Sequence, residues 1–156
     1  MSSSSRGQGG FTLLELIVAL AILAILSALA APSIGVAVRT DKERELRQDL
    51  REIRGAIDAF HDDWQSGRTA KEGAASQDGY PISLDVLVAG VQLNTAAGGI
   101  RRYLRRIPVD PFTDGPWELR SYQDAPDADR WGGQDVYDVR STSHEEAADG
   151  SQYSAW

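Results

Sequence analysis

The chain has 156 residues, a net charge of −7 and no cysteine. That length bounds the molecule to one small folded domain beside any terminal segment, and the missing cysteines exclude a disulfide framework and thiol chemistry. The acidic balance argues against nucleic acid as a partner, because phosphate binding needs clustered Lys and Arg.

Residues 1–10 are polar and rich in Ser and Gly, carry Arg6 as their single charge, and end in Gly9-Gly10. Phe11-Thr12-Leu13-Leu14-Glu15 follows, and then residues 16–38 hold no charged side chain. As a helix that run is about 34 Å long at ~1.5 Å per residue, enough for a hydrocarbon core of about 30 Å. Glu15 stands at its N-terminal edge, where an unpartnered carboxylate at membrane depth costs about 2–3 kcal/mol.

The helical pattern continues to about Gly67, a C-terminal stop. Past residue 38 it becomes amphipathic. Leu46, Leu50, Ile53, Ile57, Phe60 and Trp64 recur at alternating spacings of four and three, an apolar stripe that must be buried. Lys42, Glu43, Arg47, Arg51, Arg54, Asp58 and Asp62 occupy the flanking and opposite faces. Glu43 with Arg47, and Arg54 with Asp58, stand at i,i+4, worth about 0.2–0.5 kcal/mol each. The group Arg39-Thr40-Asp41-Lys42 marks the expected membrane surface.

Residues 68–79 read as a loop, and 83–90 as a short helix capped by Ser83 and carrying Leu84, Val86 and Leu87. Residues 91–99 read as a further loop. The basic group Arg101, Arg102, Arg105 and Arg106 reads as a solvated or interface face. Pro108 and Pro111 then force an extended path. Residues 117–122 read as a strand, with Trp117, Leu119 and Ser121 on one face and Glu118, Arg120 and Tyr122 on the other. A loop over 123–133 leads to a second strand over 134–141, expected to pair antiparallel with the first. Residues 142–156 form a polar tail with Tyr153 and Trp156 as aromatic anchors. No internal repeat is visible.

Sites for chemistry are sparse. Asp124, Asp127 and Asp129 lack the turn glycine and closing glutamate of an EF-hand and read as a solvated loop. His61 and His144 are far apart and have no cysteine to complete a zinc site or a nucleophile pair. Nothing in the sequence indicates an enzyme.

The residues Gly10-Phe11-Thr12-Leu13-Leu14-Glu15 and the apolar run behind them resemble the type IV pilin signature. The resemblance implies cleavage between Gly10 and Phe11 by a prepilin peptidase, N-methylation of Phe11, and pairing of Glu15 with the N-terminus of a neighbouring subunit during fibre assembly. It also implies that Pro32 bends or melts the first half of the helix. Two readings compete. One is a secretory signal ending at Ala28-Leu29-Ala30 with a mature chain from Ala31, and the other a plain membrane anchor. Glu15 fits neither, and the apolar pattern runs on through Ile34, Val36 and Val38.

A narrower resemblance lies further along. Tyr103-Leu104-Arg105-Arg106-Ile107-Pro108-Val109-Asp110-Pro111-Phe112 and Tyr137-Asp138-Val139-Arg140-Ser141 look like stretches of the major, G-type pseudopilin of type II secretion systems. This implies an α+β, pilin-like fold: a long N-terminal helix, membrane-spanning in its first half, packed on a small C-terminal antiparallel sheet. The implied organisation is a leader at 1–10, a transmembrane and assembly helix at 11–38, an amphipathic helix at 39–67 and a periplasmic globular region at 68–156. The implied protein sits in a bacterial inner membrane and polymerises into a periplasmic pseudopilus. Its partners would be further copies of itself, other pseudopilins, prepilin peptidase and the inner-membrane assembly platform. A type IV pilus subunit and a monomeric membrane-anchored binding domain are the alternatives. G-type subunits usually end in an Asp- and Gly-rich loop that binds calcium. Here that run is missing, and Glu145, Glu146 and Asp149 are the candidate ligands. The other reading of the tail is that Tyr153 and Trp156 pin it by packing.

Overall fold

The computed structural model describes residues 11–69, 73–126, 128 and 130–156; within the first helix it leaves aside the side chains of 28–34 and 36. The expected leader at 1–10, with Gly10, and the loop residues Asp127 and Asp129 lie outside the described residues.

The chain forms two compact units, divided after Asp41. Helix α1, Leu13–Gln65, runs through both. In the first unit, Phe11, Leu13, Leu14, Leu16, Ile17, Val18 and the other large apolar side chains up to Leu26 are exposed. Ser27 bonds back to the Leu23 carbonyl at 2.7 Å. The assigned helix is continuous across Pro32, so the melting expected there is not seen. One proline removes one N–H donor, and the helical span continues on either side of it. Among the described residues no helix is long and apolar enough to cross a membrane.

The second unit, Lys42–Trp156, is built on the amphipathic stripe. Leu46, Leu50, Ile53, Ile57 and Phe60 are buried against Leu84, Leu87, Val91, Leu104, Trp117, Val136, Val139 and Tyr153. Each such side chain contributes roughly 1.5–3 kcal/mol on burial. The helix ends as its sequence predicts. Gly67 adopts φ 68°, its N–H bonds to the Trp64 carbonyl at 3.1 Å, and the Arg68 N–H bonds to the Asp63 carbonyl at 2.9 Å. That pair of bonds is a Schellman motif, for which glycine carries no Cβ penalty.

Helix α2, Leu84–Ala89, follows, with Ser83 at its N-cap position but without a side-chain capping bond. Where a plain loop is expected at 91–99, strand β1, Val91–Gln92, pairs antiparallel with β2, Ile100–Arg101. Strands this short carry too little pattern to be seen in sequence. The expected second pair is present: β3, Glu118–Arg120, lies antiparallel to β4, Asp138–Arg140, with Leu119 opposite Val139. Arg120 departs from the expected alternation. It is buried because its guanidinium donates to the carbonyls of Pro126 (3.1 Å) and Ala125. A single 3-10 turn, Tyr153–Ala155, closes the described chain. The fold is α+β, a helix on small antiparallel sheets, in agreement with a pilin-like architecture.

Candidate assembly and processing site

The N-terminal start of α1 is locally determined. The Glu15 N–H donates to Thr12 Oγ1 at 3.2 Å, and the Leu16 N–H donates to the Thr12 carbonyl at 3.2 Å. Thr12-Leu13-Leu14-Glu15 thus satisfies the Thr-x-x-Glu pattern of a capping box. A carboxylate in the first helical turn also complements the helix dipole. Glu15 is exposed, as is Phe11 at 85%. Both side chains are open to solvent or to another molecule. The capping pattern was readable in the sequence beside the assembly role.

The tail is organised by its aromatic residues. Tyr153 is fully buried, stacks on Phe112 with ring centroids 4.0 Å apart, and donates its hydroxyl to Glu43 Oε1 at 2.8 Å. Trp156 meets Tyr153 edge to face at 5.0 Å and lies 4.1 Å beneath the Arg47 guanidinium. Glu43, expected on a solvated face, is buried by this contact. Arg54, expected to pair with Asp58, reaches across to Asp138 (2.6 Å) and to the carbonyls of Val139 (3.0 Å) and Trp156 (2.5 Å).

The three calcium candidates are not gathered into one site. Glu145, Glu146 and Asp149 are exposed, and among the described residues no group of three or more acidic or histidine side chains could hold a metal ion. Asp149 Oδ1 is taken by the Ser151 hydroxyl (2.6 Å) and amide (2.9 Å), which hold its carboxyl below the usual range. Glu146 and Gln152 form an antiparallel bridge, and the Glu145 carbonyl accepts from the Tyr153 N–H at 3.1 Å. These donors do not fit calcium.

Among the buried aspartates that sequence reading gave no role are Asp63 and Asp110. Asp63, fully buried, accepts from the Tyr103 hydroxyl at 2.9 Å and ion-pairs with Arg101 at 2.9 Å. Arg68 Nη2 stands 2.6 Å from its other oxygen, an ion pair without hydrogen-bond alignment. Arg101, itself exposed, is thus held by the buried Asp63 rather than standing as a free member of a basic face. Burial, then the bond to Asp63, pushes the Tyr103 phenol well above its ordinary value. Asp110, between the two prolines, accepts from Ser141 Oγ (2.6 Å) and from the Phe112 N–H (2.9 Å), and so ties that turn to the end of β4. The Pro108-Val109-Asp110-Pro111 spelling was the available signal. His61 stacks on Tyr80 at 4.2 Å, with Nδ1 3.2 Å from the Gly79 carbonyl, a packing role. Gly79 (φ 85°) lies so close under Trp64 that no Cβ fits.

A capped helix with an exposed apolar run at its start, and an α+β region built on the amphipathic second half of that helix, are the features of a prepilin-type structural subunit. The chain matches the family described as prokaryotic N-terminal methylation motif over residues 5–31. It is similar to type II secretion system core protein G of three bacteria. The protein of Klebsiella pneumoniae is 32% identical over 67% of this chain and 69% of that one. That of Aeromonas hydrophila is 30% identical over 74% and 75%, and that of Pseudomonas aeruginosa 29% over 74% and 83%. No solved structure matches. The chain belongs to the type II secretion system core protein G family and is a pseudopilin.

Proposed function

We propose that the chain is made as a precursor with a leader at 1–10, cut between Gly10 and Phe11 by prepilin peptidase and N-methylated on Phe11. In this reading residues 11–38 anchor it as a single pass in the bacterial inner membrane, and the amphipathic helix at 39–67 with the region 68–156 stands in the periplasm. It then polymerises with further copies, alongside other pseudopilins and on the inner-membrane assembly platform, and performs no catalysis. The carrying observation is Glu15: an exposed carboxylate at the head of an exposed apolar helix, within the matched methylation motif. In a low-dielectric layer that carboxylate and the methylated amine of a neighbour relieve each other's desolvation, and only one stagger brings them together.

The test is the N-terminal residue and its mass on protein taken from native membranes. N-methylated Phe11 is expected; Ala31 or an intact Met1 overturns the reading. Glu15→Ala is expected to leave the protein processed and membrane-bound while fibre formation fails. Normal fibres from that variant would refute the charge pairing.

A further inference from the structure

Beside its buried apolar stripe, the stretch of α1 in the second unit carries two more. Glu45, Asp49 and Glu52, at spacings of four and three, run along one flank of the core stripe. Arg44, Arg47, Arg51 and Arg54, at three, four and three, run along the other. Glu45, Glu52, Arg44, Arg47 and Arg51 are exposed, and Gln48 and Gly55 separate the two flanks on the face away from the core.

A merely solvated helix face gains from opposite charges at i,i+4, whereas like charges there are destabilising. Here Glu45 with Asp49, and Arg47 with Arg51, stand at that spacing with like sign, while Glu43 meets Arg47 at 4.0 Å one turn earlier. Burial, then Glu45 and Glu52, raise the Asp49 carboxyl above its ordinary value, with Arg106 opposing and Asp110 adding to the rise. Arg51 lines an open cleft of about 340 Å³ together with Arg47, Leu50, Arg54, Trp156 and one carboxylate, Asp149. Gly55 has nothing within 4 Å of where a Cβ would stand, so the chain's own packing gives no reason for a glycine in mid-helix.

We infer that the two flanks are the two halves of a contact between successive copies of this chain, in which Glu45, Asp49 and Glu52 of one copy meet Arg44, Arg47 and Arg51 of the next. The inference rests on the polymerising reading above. Two different patches that complement each other make a heterologous contact, which propagates instead of closing as a dimer. Opposed charges on rigid helices also select one stagger and reject others. Gly55 between them leaves room for a neighbouring backbone.

The experiment uses the full chain in cells carrying the secretion assembly, read by cross-linked ladders in membranes. One variant carries Glu45→Arg with Glu52→Arg, the other Arg44→Glu with Arg51→Glu. Each alone is expected to lose about tenfold or more of its ladder, since like charges then face each other. Co-expressed, the two are expected to recover a mixed ladder, a rescue that misfolded chains could not give. Normal ladders from either variant alone overturn the inference. So does failure of the mixture when both variants melt like the unmodified protein. Absence of any ladder from the unmodified chain would instead overturn the polymerising reading itself.

Discussion

The Tyr153 hydroxyl donates to Glu43 Oε1 at 2.8 Å across 110 positions of sequence, with both side chains buried. This bond joins the tail to α1 at the start of the folded unit. Arg47 Nη2 stands 4.0 Å from the other carboxylate oxygen of Glu43. Tyr153→Phe keeps the ring packing but removes the donor, and is expected to cost about 1.5–3 kcal/mol. Tyr153→Ala adds a cavity and is expected to cost about 3–5 kcal/mol. Urea unfolding of the detergent-solubilised protein measures both. A Tyr153→Phe protein as stable as the unmodified one would mean that the hydroxyl contributes nothing.

Because aromatic packing and Glu43 hold the tail, and Asp149 is engaged by Ser151, metal removal should be silent. The melting temperature with excess EDTA is expected to match that with millimolar calcium within ~1 °C. A specific ion that binds the folded state raises stability by mass action, so a rise of several degrees with calcium would show a site.

Tyr103, half-buried against Asp63, couples stability to alkaline pH. Asp63→Ala leaves two half-exposed arginines that water can reach and is expected to cost about 2–3 kcal/mol. The Tyr103 phenol is raised in the fold, by burial first and by Asp63 second, from an ordinary value near 10.0. Above that pH the unfolded chain loses the proton while the folded chain keeps it. Fewer protons on the unfolded state means that stability falls as pH rises. The contribution is thus whole below about pH 10 and is lost above it. Denaturation midpoints of Tyr103→Phe are expected to fall less between pH 9 and 11 than those of the unmodified protein.

Gly55 lies mid-helix, exposed, and unobstructed within its own chain. Gly55→Ala is expected to stabilise the subunit by about 0.5–1 kcal/mol in chemical denaturation. If a neighbouring copy packs closely there, the same change weakens cross-linked ladders. A stabilised subunit with unaltered ladders would place Gly55 outside the contact.

Periodicity and end signals were legible without a structure. The stripe Leu46, Leu50, Ile53, Ile57 and Phe60 announced the buried face of α1, and Gly67 its end. A helix records its burial every three or four residues, and its stop needs one residue in a left-handed conformation. The alternation around Leu119 and Val139 announced β3 and β4. Thr12 and Glu15 spelled their cap within one turn. These features depend on neighbours close in sequence, so a single chain read in order contains them.

What joins distant segments was decided by tertiary structure alone. Glu43 and Arg54 read as surface charges, yet Tyr153 buries one and Asp138 draws the other across to β4. Arg101 read as part of a solvated basic face, yet Asp63 holds it. A charged side chain has the same letter whether water or a buried partner solvates it. Its partner is chosen by which surfaces the core brings together, and the cost of leaving a buried charge alone then makes that choice binding.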